Sequence, residues 1–167
     1  FENPNFGAPP FSQSSAWLQR YVIHADAHWN PNIRTFVQLF GAIEEGRAGG
    51  PSPVDENGFE IQNAFLALTL PDDSLLRLGR QELNYGSGRL VNVREGPNVR
   101  QTFNGGVYTF ALEDTSIDLL YVVPQRSELG NFNDDLNDDE SLSGIYTTHP
   151  LHDGSASIEV YFLRFED

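Results

Sequence analysis

The chain has 167 residues, one domain's worth of length, with 24 acidic against 10 basic residues and a formal net charge of −14. Every basic residue is Arg, and so acidic a balance argues against nucleic-acid binding and against a polybasic membrane-surface protein. The sequence holds no Cys, which excludes disulfides, iron–sulfur clusters, thiol catalysis and Cys-ligated zinc, and no apolar run of helical membrane-spanning length.

Helix signals are weak, because ten Pro and fifteen Gly interrupt any 3.6-residue period. Strand signals are strong. From Trp17 to His28 the odd positions are mostly apolar and the even positions mostly polar, as on a strand with one greasy and one wet face. The turn Asn30-Pro31-Asn32 follows, and Ile33 to Ile43 alternates again. Further strands are predicted at Phe59–Leu70, Leu75–Tyr85, Thr102–Leu112, Ser116–Pro124, Glu140–His149 and Ser155–Glu166. Most of the eight run ten to twelve residues. A soluble strand averages about 5–6, and a membrane-spanning one needs about 9–11.

The connections alternate in size. Residues 29–32, 71–74, 113–115 and 150–154 are short turns, whereas 44–58, 86–101 and 125–139 are long and polar. Short turns on one side and long loops on the other are the habit of outer-membrane barrels. The fold class expected is therefore all-β, an antiparallel up-and-down transmembrane β-barrel. Residues 17–167 form the barrel segment and residues 1–16 an N-terminal extension or incomplete strand. The first and last strands meet the long-loop side, so strands before residue 17 and after residue 167 are expected in a larger barrel. Trp17, Trp29, Phe59, Tyr85, Phe103, Tyr161 and Phe165 lie near strand ends, where aromatic girdles would sit.

The segment Leu78-Gly79-Arg80-Gln81-Glu82-Leu83-Asn84-Tyr85-Gly86-Ser87-Gly88-Arg89-Leu90-Val91, followed by Val93-Arg94-Glu95-Gly96-Pro97-Asn98-Val99-Arg100, resembles the alginate-export family of outer-membrane β-barrels. Leu18-Gln19-Arg20-Tyr21, Phe36-Val37-Gln38-Leu39 and Glu44-Glu45-Gly46-Arg47 add to the resemblance. It implies a monomeric bacterial outer-membrane channel, in contact with lipid and lipopolysaccharide. Such a channel passes an anionic polysaccharide or a small sugar-like or anionic solute through an Arg-containing lumen by passive diffusion.

A wet lumen would take the polar face of each strand. That nominates Arg20, His24, Asp26 and His28 on the first strand, Arg34 and Gln38 on the second, and Glu60 and Gln62 on the third. On the fourth, Arg80 and Glu82 share a face with Leu76 and Leu78, and a bulge near Gly79 is expected to turn them inward. Residues 77–100 hold five Arg against Glu82 and Glu95, the one clearly positive stretch. Its loop, with Arg89, Arg94, Glu95 and Arg100, is long enough to fold into the lumen. There it would either contact carboxylates bidentately or form an ion-pair lattice that fixes itself.

Other chemistry is poorly served. His24, Asp26 and His28 lie about 6.6–6.8 Å apart along one strand face, too far for one metal ion to reach all three. The acidic run Asn133–Glu140 offers oxygen ligands to Ca²⁺, but it lacks an EF-hand's glycine and flanking helices and reads as a solvated acidic loop. No nucleophile elbow, zinc-protease motif or phosphate loop occurs, so no enzyme and no cofactor is expected. The rival reading is a soluble β-barrel or β-sandwich that binds a carbohydrate.

Overall fold

A computed structural model describes residues 15–167 apart from 48, 49 and 153. Residues 1–14, most of the expected N-terminal extension, therefore lie outside the described residues. The chain is all-β: β1 (Trp17–Asn30), β2 (Ile33–Glu45), β3 (Asn57–Thr69), β4 (Leu75–Gln81), β5 (Phe103–Leu112), β6 (Thr115–Arg126), β7 (Asp135–Leu136), β8 (Ser141–Leu151) and β9 (Ala156–Glu166). Each strand pairs antiparallel with its neighbour in the order β1-β2-β3-β4-β5-β6-β8-β9, with the short β7 on the end of β6. The sheet is up-and-down, as the alternation predicts. Among the described residues it is open, with β1 and β9 as its edges.

The registers give the sheet two unlike faces. One carries a row that crosses seven strands: Ile33 opposite Leu68, then Leu76, Tyr108, Leu119, Ile145 and Phe162. Every member is hydrophobic, and no part of the described chain covers the row. Ile145 is 45% and Phe162 74% exposed. Trp17, Tyr21, Ile23, Val37, Leu39 and Tyr121 belong to the same bare face. Trp17 and Trp29 sit there at opposite ends of β1, as girdle residues would. Phe103, Tyr161 and Phe165 do not. Their cross-strand partners place them on the opposite face, with Pro124, Tyr146 and Leu142.

That opposite face is covered at its long-loop end. Leu83 and Val91, from the segment after β4, pack on Phe103, Val107, Leu120, Val122 and Leu142, with Tyr85 and Leu163 against them. Val99 closes a second cluster on Phe40 and Ala42. This explains why β4 ends at Gln81 and not at the predicted Tyr85. The apolar positions Leu83 and Tyr85 leave the strand to reach a core above it.

The bulge expected at Gly79 is absent. The β3–β4 and β4–β5 ladders run through it without a register shift. Gly79 instead takes φ 122°, opposite Gly105 at φ 150°, and a Cβ on either would meet a neighbouring strand's carbonyl oxygen at 2.3 or 2.2 Å. The register shifts fall elsewhere, near His28 in β1 and at Gln62 and the start of β3.

Candidate functional site

The covered face collects the polar positions of β1 and β2. His24, Asp26 and His28 lie opposite Gln38, Phe36 and Arg34, and Arg20 lies opposite Ala42. Arg34 donates to both Asp26 oxygens, at 2.8 and 3.0 Å, and His28 Nε2 is 3.5 Å from the same carboxylate. His24 stacks on Phe36, which stacks on Phe65. The guanidinium groups of Arg34 and Arg77 both lie 5.6 Å from the Phe65 ring centroid. Arg77 pairs with Val107 across the ladder and makes no ion pair among the described residues. The face assignment on β4 depended on an expected bulge, so sequence reasoning passed over Arg77 as a site residue.

Gln38 accepts a hydrogen bond from Asn63 Nδ2 at 2.8 Å. The extra residue at the β3 register shift is Gln62, and its amide donates to Glu82 Oε1 at 2.9 Å. Glu82 lies past the end of β4, and its backbone N donates to Asn63 Oδ1. Glu82 and Glu95 both face Arg100. Burial pulls the Arg100 guanidinium down, but the two carboxylates outweigh it and hold the group above its ordinary value.

Arg80 is placed quite differently from the expectation of a lumen residue. Its guanidinium reaches Asp134 Oδ2 at 3.0 Å, Glu60 Oε1 at 3.6 Å and Thr102 Oγ1 at 3.2 Å. Arg80, Glu60 and Asp134 are 11%, 4% and 1% exposed at their side chains, so this triad is a buried seam. The acidic run is thus not wholly solvated. Asp134 also accepts from Asn57 Nδ2 and from the backbone N of Glu128, while Asp135, Asp138 and Asp139 stay exposed.

Between the segment after β4 and the segment after β6 lies a cavity of about 620 Å³. Arg89, Arg94 and Arg126 line it together with the carboxylate of Glu140 and with Asn92, Gln101, Gln125 and Asn137, over apolar Leu90, Phe103, Leu142 and Phe165. Arg126 approaches Asp139, whereas Arg89 and Arg94 make no ion pair among the described residues. Three guanidinium groups against the single carboxylate of Glu140 in the cavity lining favour an anion there. The amides supply neutral hydrogen-bonding groups, and the apolar floor suits one face of a ring.

Tyr85 and Tyr161, expected as girdle residues, instead stack in succession on Tyr146, which sequence reasoning missed, at centroid distances of 4.5 and 5.5 Å. Burial and the nearby Asp118 carboxylate push the Tyr85 hydroxyl well above its ordinary range. Tyr146 donates to Glu159 Oε2 at 2.8 Å. The strand parity of Tyr146 and Tyr161 is legible in the sequence, but their register across β8 and β9 is not.

The family described as alginate export matches the chain over residues 1–167. No curated protein matches it, and no solved structure matches it.

Proposed function

We infer the function from one premise: the chain belongs to the alginate-export family. On our reading the sheet is part of the wall of a bacterial outer-membrane channel, with the bare face against lipid and the covered face along the path of the solute. The observation that carries this is the unbroken hydrophobic row from Ile33 to Phe162, which no described part of the chain covers. Water in contact with so much apolar surface would cost about 25 cal/mol per Å², and a lipid environment removes that cost.

The solute is an anionic polysaccharide or a smaller sugar-like anion, and it moves by diffusion, without a bond being made or broken. Arg89 and Arg94 at the cavity attract it, and the amides and apolar floor beside them accept a ring with hydroxyl groups. Asp26, Glu60, Glu82 and Glu95 are each engaged by an Arg, which limits how far they repel it.

The test is refolding into detergent, a comparison of unboiled and boiled samples on a gel, and conductance in a planar bilayer. A compact band that shifts on boiling, with anion-selective current, is expected. Arg89→Ala together with Arg94→Ala should lower the anion preference about two- to fivefold while leaving the band unchanged. A protein that is monodisperse in plain buffer and shows no heat shift would instead be a soluble ligand-binding sheet.

A further inference from the structure

The segment between β4 and β5 is the part of the chain that crosses the covered face, and its grip on β1 is reciprocal. Arg20 Nε donates to the carbonyl oxygen of Asn98 at 2.7 Å, and Arg20 Nη2 donates to that of Pro97 at 2.8 Å. In return Asn98 Nδ2 donates to the carbonyl oxygen of Gln19, the residue before Arg20, at 2.9 Å. The same amide nitrogen donates to the carbonyl oxygen of Asp55 at 3.0 Å and lies 3.4 Å from that of Ile43. The Asn98 backbone N donates to Asp55 Oδ1, and Val99 N to the carbonyl oxygen of Val54. Asn98 is 7% exposed. One buried amide therefore joins β1, the end of β2, the segment after β2 and the segment after β4.

We propose that Asn98 and Arg20 are a pair of positioning residues that clasp the segment after β4 across the covered face, and so fix the width of the solute's path. Arg20 then does not bind solute: its guanidinium is occupied by two carbonyl oxygens, with Glu95 at 3.9 Å. The residue types follow from the geometry. Asn98 faces carbonyl oxygens, which only a donor can satisfy, and Asp in its place would set a carboxylate against them. Arg20 spans two consecutive carbonyls with a planar fork, which the point charge of Lys cannot do. The clasp holds the stretch that carries Arg89 and Arg94, so it also sets where those two cations stand. The consequence for current rests on the channel reading above, but the clasp itself does not.

The experiment uses the full chain folded in detergent, with Asn98→Ala and Arg20→Lys as separate variants. Limited trypsin digestion, with fragments identified by mass, reads cleavage after Arg89 and Arg94. Bilayer recording reads current noise. Each variant is expected to be cut there about tenfold faster than the wild type, because two or more hydrogen bonds that close the segment are gone. Each should also show flickering current where the wild type is steady. Arg20→Lys keeps the charge, so a solute-binding role for Arg20 predicts wild-type cleavage and steady current for that variant. Cleavage of either variant at the wild-type rate overturns the proposal, as does a wild-type segment that is cut as fast as the variants. The expected digestion pattern without current in any variant would sink the channel reading and leave the clasp standing.

Discussion

Arg80 and Asp134 are 54 residues apart in sequence and form an ion pair at 3.0 Å in which neither side chain is more than 11% exposed. Glu60 shares the same guanidinium, and its carboxylate also accepts from the backbone N of Asp134 at 3.2 Å. Removing one partner of such a group strands a buried charge. Asp134→Ala and Arg80→Ala are each expected to destabilise the fold by about 3–5 kcal/mol, read as a lowered temperature for loss of the compact band. The double variant should cost less than the two single losses together, because it strands less charge.

Gly105 tests the sheet's geometry. Gly105→Ala would place a Cβ 2.2 Å from the Tyr121 carbonyl oxygen at φ 150°, and is expected to cost about 2–4 kcal/mol. The neighbouring Gly106 has no such φ, and its nearest obstacle is the flexible end of Leu78 at 3.1 Å. Gly106→Ala should therefore cost under about 1 kcal/mol. Chemical denaturation of the two variants side by side separates backbone strain from loss of a small residue.

Leu119 lies in the middle of the bare hydrophobic row, between Tyr108 and Ile145. Leu119→Arg is expected to lower stability in lipid vesicles by about 2–4 kcal/mol, the cost of Arg near the middle of a bilayer. The same substitution on a face that meets water would change stability by no more than about 0.5 kcal/mol.

Asp72, in the turn between β3 and β4, accepts hydrogen bonds from the Ser74 hydroxyl at 2.6 Å and the Ser74 backbone N at 3.3 Å. These bonds hold its carboxyl below the usual Asp value. A carboxyl lowered by folding stabilises the turn at pH above the unfolded value, and that contribution is lost as pH falls through the folded one. Ser74→Ala should raise the Asp72 titration midpoint, as read from its carboxyl carbon by NMR.

The strands were legible because a two-residue period survives on one chain. The even residues from Arg20 to His28 share a face in the structure, as their parity implies. What parity cannot show is the partner. Arg80 stands at a position of the bare-face parity, opposite Ala64, and its sequence neighbours offer no reason for a cation there. The reason is Asp134, two hairpins later. A local bulge was the explanation available to a local reading. Leu83 and Tyr85 misled it in the same way, since they continue the alternation of β4 while serving a core outside the strand. The loop's own fate was half visible. Its length and charge pointed to a fold-back across the sheet, but nothing in the run of residues distinguishes Arg100, bound to carboxylates, from Arg89 and Arg94, which are not.

β4 is shorter than β3, and this has a bearing on how the sheet is assembled. β4 accompanies β3 only as far as Ala64, so the first residues of β3 face a notch. Asn131 and Phe132 fill it. Asn131 Oδ1 accepts from Phe59 N at 2.7 Å, and Phe132 N donates to the Phe59 carbonyl oxygen at 2.9 Å. The material that seals the notch is synthesised 72 residues after the strand it seals. A folding intermediate that has zipped β1 through β5 still exposes a raw backbone edge, however well its hairpins are formed. Loop closure over that distance must come late, after β6 has turned the chain back. Until then that edge of the sheet is a template for a stray strand.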